Sequence, residues 1–306
     1  MTDHGESGAG QALKAVLLLL TAILCFDVMS LLVRILSAHY APPELSAYRN
    51  VLGIVPSLAL LVWTGELRLR GSSLKIENWP LAIFRGLAVA MAQLCFYSAL
   101  ARLELATVAT LGQTNALFVV LLSVVLLGER VGPWRVGALV IGFLGVVWIL
   151  RPGSDAFSPA ALYPVAAAVC YAVSMVTVRM FGPEVSNGLL YLYSSAAAAV
   201  GAIILAAFTT EFSAIQSMLD VGLIFLMGVL GGIGVLFMML AYRMAAPSLL
   251  APFGYFGILS AFFWGWLVFG EAPVATLFPG VLLIVGAGAL IMWRENRGAR
   301  RRRGAH

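Results

Sequence analysis

Charge is what this chain has least of. Only 11% of its 306 residues are Asp, Glu, Lys or Arg, and 61% are hydrophobic. Soluble domains carry roughly 25% charged residues, and a soluble fold of this size could not hide so much apolar surface. Lysine is nearly absent: Lys14 and Lys75 are the only two, and neither lies in a Gly-rich phosphate loop, which excludes ATP hydrolysis by that route. Of the three histidines, His4, His39 and His306, none falls inside an apolar run, so no HExxH metal site or Ser-His dyad can form within a membrane. The three cysteines, Cys25, Cys95 and Cys170, all sit in apolar runs, with no CxxC pair and no disulfide frame. These absences argue against an enzyme and leave no expected cofactor or metal.

Long apolar runs are what the chain has instead. They are continuous rather than alternating, which excludes a β-barrel, and each is about the ~20 residues that cross ~30 Å of hydrocarbon as a helix. The fold class that follows is an all-α polytopic membrane protein. Its ten transmembrane helices are expected over residues 13–36, 44–64, 80–101, 104–127, 133–150, 158–181, 187–208, 220–242, 245–269 and 274–293. Pro42-Pro43, Gly71-Ser72-Ser73, Gly132-Pro133, Arg151-Pro152-Gly153, Gly182-Pro183 and Ala272-Pro273 punctuate the runs. The first run, after the polar stretch 1–12, is too long for a signal-peptide core and reads as a mature span.

With ten spans both termini share a side, and the basic residues choose it. Fifteen Lys and Arg, among them Lys14, Arg68, Arg85, Arg130, Arg179 and six arginines from Arg294 to Arg303, fall on the side of the termini. Four, Arg34, Arg49, Arg102 and Arg151, fall on the other. Positive residues stay cytoplasmic, so both termini are expected there, in a bacterial inner membrane, with the basic tail near anionic lipid and no nucleic-acid role for the net charge of +5.

The chain also repeats itself. A shift of 142 residues pairs Ala99 with Ala241, Gly112 with Gly254, Leu117 with Leu259 and Gly128-Glu129 with Gly270-Glu271; a shift of 145 pairs Cys25 with Cys170 and Val33-Arg34 with Val178-Arg179. The expected organisation is a tail over 1–12, a five-helix unit over 13–150, a linker over 151–157, a second five-helix unit over 158–293 and a basic tail over 294–306. Five spans per unit means the copies enter from opposite sides, the inverted layout of secondary transporters, with the substrate site near the midplane.

Ala99-Leu-Ala-Arg-Leu-Glu-Leu-Ala-Thr, then Gly128-Glu129-Arg130, then Gly137, Gly142 and Gly145 before Arg151-Pro152-Gly153 resemble the EamA branch of the drug/metabolite transporter superfamily, and Ala241, Gly270-Glu271, Gly280 and Gly288 repeat the pattern. The resemblance spans about Val16 to Trp293. It implies alternating access and a small-metabolite substrate, with amino-acid exporters, exporters of amino-acid-derived (opine-type) metallophores, and riboflavin or S-adenosylmethionine importers among such proteins. Members often carry Pro in the middle of the fourth span, where Asn115 stands here; its loss is expected to remove a helix break.

Candidate substrate-binding residues follow from polar groups at depth. Asp27 is a carboxylate midway through the first span, where a charge costs at least ~2.5–3.5 kcal/mol. Arg34, two turns on with Ser30 between, shares its face, so Asp27 either bridges to Arg34 or meets a substrate ammonium group or a proton. Arg49 either accepts a substrate carboxylate bidentately or snorkels to the interface. Arg85 and Arg179 read as anchors near span ends. Gln93 and Tyr97, then Gln113, Thr114 and Asn115, with Tyr171, Ser174 and Tyr255 from the second half, either bond neighbouring helices or line a wet cavity. Pro247, Pro252, Gly254 and Gly257 make the ninth span the best hinge or gate, with a static kink as the bland alternative. Glu129 and Glu271 read as structural helix ends. The expectation is a carrier, monomeric or homodimeric, with protons as candidate coupling ion, exporting an amino acid or its derivative; the alternatives are uptake of a flavin or adenosyl compound, and a channel or receptor.

Overall fold

The computed structural model describes residues 3–63, 76–128, 132–151, 158–181, 185, 187–245, 250, 253–287 and 289–290. Every one of the ten expected spans carries helix. In chain order these are α1 (Asp3–Leu36), α2 (Pro42–Trp63), α3 (Trp79–Leu100), α4 (Leu105–Gly112), α5 (Asn115–Leu127), α6 (Pro133–Leu150), α7 (Leu162–Val178), α8 (Asn187–Thr209), α9 (Met218–Met244) and α10 (Phe256–Phe269). A last helix, α11, covers 280–290, residue 288 aside. Among the described residues six spans are long and apolar enough to cross a membrane, and Val136–Leu150 and Phe256–Phe269 are shorter apolar helices. The protein is therefore an all-helical polytopic membrane protein. The first helix begins at Asp3, so it runs back into the stretch expected as a tail, although its apolar part starts only at Gln11.

The termini of the helices follow local chemistry. Proline at the first turn opens α3 and α6, where its missing N–H is not needed. Ser217 caps α9 by accepting from the Asp220 N–H at 3.1 Å. Gly128 and Gly270, paired by the repeat, both stop their helices in the left-handed region, at φ 64° and 69°. A side chain there would be strained, which is why glycine precedes glutamate at both places.

The halves interlock by helix pairs taken in reverse order. From the first half, α1 packs on α9, α2 on α9 and α8, and α3 on α8 and α7. From the other side, α4 packs on α10 and α5 on α7. Small residues let these pairs close up, as is common between helices in lipid. A Cβ on Gly86 would sit 2.3 Å from the Ser194 carbonyl, and Gly145 and Gly280 each approach the other's carbonyl so that a Cβ would meet it at 2.8 Å. The largest buried cluster, including Val33, Leu36, Tyr97, Leu100, Leu105 and Met227, gathers toward the end of the bundle that carries Arg34 and Glu271. Apolar side chains such as Leu144, Phe208, Phe225 and Leu259 lie exposed on the outside, as a lipid-facing surface requires. Trp264 packs against the core and Trp266 faces outward, the division their spacing implies.

Candidate functional site

The fourth span is not one helix. It breaks at Gln113-Thr114, where the bonding tightens to i→i+3: the Thr114 N–H reaches the Leu111 carbonyl at 3.1 Å, and Leu117 N–H reaches the Thr114 carbonyl at 2.9 Å. The expectation that losing a mid-span proline removes the break is corrected here. A 3₁₀ turn interrupts the α ladder without proline, and the buried Thr114 hydroxyl donates back to Leu111 O at 2.6 Å. Thr114 is thus spent on its own backbone. The ninth span breaks at the equivalent place, where Tyr255 precedes α10 and its carbonyl accepts from Ile258 N–H at 3.0 Å. The two breaks touch, since Gln113 Nε2 donates to the Gly254 carbonyl at 3.2 Å. Asn115 Nδ2 lies 3.4 Å from Met175 Sδ, and its Oδ1 is buried with no partner. Gly257 faces Ile23, leaving room for one Cβ at 3.5 Å. Pro247 and Pro252 lie outside the described residues.

The charged groups divide in a way the spacing along α1 did not indicate. Arg34 does not turn to Asp27. Its two terminal nitrogens bind both oxygens of Glu271, the Nη1–Oε2 bond at 2.8 Å, and its guanidinium lies 4.5 Å over the Phe269 ring. The cause is local. Gly270 ends α10 in a left-handed αL turn, with its own N–H on Trp266 O at 3.0 Å and the Glu271 N–H on Gly265 O at 3.1 Å. That turn swings the glutamate back over α1 and α4, where Oε2 also takes the Leu105 N–H at 3.3 Å. One carboxylate thereby ties the C-terminus of α1, the N-terminus of α4 and the end of α10.

Asp27 is left facing the Ser260 hydroxyl across the α1–α10 contact, and its Oδ2 is buried without a partner. Ser30 spends its hydroxyl on Phe26 O at 2.8 Å, one turn back. Arg49 turns inward rather than to the interface. Its Nη2 donates to the Gly231 carbonyl of α9 at 3.2 Å, and Nη1 makes only a long 3.5 Å contact with Asn50 Oδ1. Gly231 is there because any side chain would collide: a Cβ would stand 2.7 Å from Arg49 Nε and 3.0 Å from Met29 Sδ. Asn50 Nδ2 donates in turn to Ser46 O at 2.8 Å and to Gln93 Oε1. Tyr97 OH donates to Met29 Sδ at 3.7 Å, and both Tyr97 and Tyr171 lie within electrostatic reach of Arg49. Arg85, expected as an interfacial anchor, instead donates from Nε to the carbonyl of the buried Ser174 on α7 at 3.0 Å.

The chain thus brings Arg49, Gln93, Tyr97 and Tyr171 together with Asn50, and it brings Gln113 to Gly254. It sets Asp27 on a neighbouring face and removes Arg34 to one end. Asn50 and Ser260 escaped the sequence reading. Asn50 carried a usable signal, a carboxamide at membrane depth beside Arg49; Ser260 carried none, because a serine in an apolar helix is usually bonded to its own backbone. Among the described residues no three His, Cys, Asp or Glu lie together as metal ligands.

Polar and charged side chains lie inside a bundle of apolar helices, an arrangement of a polytopic membrane protein. The family model of the EamA-like transporter family matches residues 13–151. The pseudopaline exporter CntI of Pseudomonas aeruginosa is 30% identical over 279 residues, 90% of this chain and 95% of that protein. A riboflavin transporter of Brucella anthropi is 30% identical over 262 residues, 83% of this chain and 88% of that protein. An S-adenosylmethionine uptake transporter of Rickettsia conorii is 24% identical over 259 residues, covering 85% of each. A solved structure titled only "Crystal structure of protein" superposes with a TM-score of 0.62 at 24% identity, over 92% of this chain and 98% of that one. This chain belongs to the EamA-like transporter family. It is a transporter of a small molecule, not an enzyme.

Proposed function

We propose that this protein is a secondary carrier that exports a small amino-acid-type metabolite across the bacterial inner membrane by alternating access. The observation that carries this is the pair of interior charges left open: Asp27 with an unpartnered oxygen and Arg49 with no carboxylate among the described residues. Charges in hydrocarbon are expensive and belong to cavities or partners, and an amine and a carboxylate on one cargo would complete both. With both termini cytoplasmic, the Arg34–Glu271 end is periplasmic, and the arrangement described is the one sealed on that side. Cargo enters from the cytoplasm, and release outside requires the Glu271 tie to open, with the touching breaks at Gln113 and Gly254 as the hinge. Protons are the candidate coupling ion.

Import of riboflavin or an S-adenosylmethionine-like compound is the second reading, favoured by the relatives that carry those cargoes. A flavin needs a free aromatic face, whereas Tyr97 is 1% exposed and packed in the core. Comparison of metabolites inside and outside cells with and without the gene tests the proposal. A compound depleted outside and enriched inside on deletion is expected; the reverse pattern supports import, and no change in any metabolite removes the transport cargo proposed. Counterflow in proteoliposomes then separates carrier from channel, because only a carrier shows trans-stimulation.

A further inference from the structure

Among the described residues, two guanidinium groups inside the helix bundle, those of Arg49 and Arg85, meet no acid. Arg49 bonds the Gly231 carbonyl and, weakly, the Asn50 amide; Arg85 bonds the Ser174 carbonyl and lies within reach of Tyr191. Among the described residues the ion pair found is Arg34 with Glu271, and neither inner arginine shares it. Each guanidinium has five N–H donors, and a neutral carbonyl compensates a full charge poorly in a low-dielectric interior. Arg34, by contrast, is completed by a bidentate carboxylate and an aromatic face.

The two cations are also close enough to act on one molecule. Arg85 touches Ser174, and Tyr171, which feels Arg49, lies three residues away on the same helix, about 4.5 Å of rise. On α3, Arg85 is eight residues from Gln93, roughly 12 Å, and Gln93 holds the Asn50 that borders Arg49. A flexible chain with an acid at each end spans such a gap, whereas a single carboxylate leaves one arginine bare. We propose that Arg85 is a second anion-recognition residue of the cargo site and that the cargo carries at least two acidic groups, one for Arg49 and one for Arg85. This rests on the carrier reading and narrows its cargo to diacids and polyacids of the amino-acid-derived kind.

The test uses the full-length protein in nanodiscs and three probes of equal length and falling charge: adipate, its monoamide and its diamide. Titration calorimetry is expected to rank them in that order, with adipate at least tenfold tighter than the monoamide and the diamide not bound. Arg85→Gln and Arg49→Gln should each bring adipate to about the level at which the parent binds the monoamide, and the double variant should bind neither. Arg102→Gln, which removes a cation stacked 5.2 Å over Tyr163 at the Glu271 end, should change nothing. An unchanged melting temperature is the folding check on Arg85→Gln, and Arg85→Lys should recover part of the adipate affinity. Adipate binding that survives Arg85→Gln, a diamide that binds as well as adipate, or no binding by any of the three overturns the assignment. The metabolite comparison decides the carrier reading separately: a neutral or purely cationic exported compound would sink the diacid cargo while leaving the carrier intact.

Discussion

The Glu271 end of the bundle and its interior treat arginine differently. At the Glu271 end Arg34 is bound by both oxygens of Glu271 and Asp220 accepts from Tyr40 OH at 2.9 Å, while Glu44 accepts from Tyr48 OH at 3.0 Å and Ser213 N–H at 3.1 Å through Oε1 and keeps Oε2 buried without a partner. In the interior Asp27 likewise keeps a buried oxygen without a partner, and among the described residues Arg49 and Arg85 meet carbonyls and an amide but no acid. Depth alone would predict the reverse, since unpaired charge is more costly farther from water. On the proposed reading the difference sets the arginine that ties the helices, Arg34, apart from those that meet cargo, Arg49 and Arg85.

The sharpest way to break that comparison is to neutralise an interior charge. Asp27→Asn keeps the shape and the Ser260 contact while removing the ion. Transport should fall at least tenfold, with the protein still in the membrane and its melting temperature equal or higher, because an unpaired buried charge destabilises the fold. Transport at the wild-type level would take Asp27 off the site. Next in size is Glu271→Gln, on the paired side. Its side chain is 14% exposed and Arg34's 21%, and breaking a buried pair by removing one partner costs about 3–5 kcal/mol. A lower melting temperature is expected together with easier thiol labelling of a cysteine placed at the Glu271 end, and reversing the pair (Arg34→Glu with Glu271→Arg) should recover part of the loss. A variant as stable as the parent, with no change in labelling, would mean that the tie does not hold that end.

Gly231→Ala sits between the two classes. The added methyl would lie 2.7 Å from Arg49 Nε, so the arginine must leave its seat, and overpacking of this kind costs typically about 1–3 kcal/mol. Cargo affinity should drop several-fold, as measured by titration, with a melting shift of only a few degrees. Unchanged affinity would show that the guanidinium does not need the α9 contact to work.

How much of this was legible beforehand depends on the range of the interaction. The spans could be read because continuous apolar length is a local property, and so could the helix ends at Gly128 and Gly270, both of which stop in the left-handed region. Polar residues at depth were found for the same reason. What escaped was partnership. Arg34 and Glu271 stand 237 residues apart, so spacing along one helix offered the nearer Asp27 in its place. Arg85 looked like an anchor because its position is near a span end, while its side chain follows the packing of α3 on α7. The break at Gln113-Thr114 was missed because a 3₁₀ turn leaves no proline behind.

That break supports the smallest prediction. Gln113 spans the two halves through one bond to the Gly254 carbonyl at 3.2 Å, and side-chain hydrogen bonds between membrane helices average only about 0.6 kcal/mol. Gln113→Ala should therefore barely move the melting temperature. If the touching breaks are the hinge, the same bond is made and remade in each cycle, and its loss should alter the turnover rate by a few-fold without altering cargo affinity. A change in affinity with turnover preserved would instead place Gln113 among the groups that touch cargo, moving it from the hinge into the company of Asp27 and Arg49.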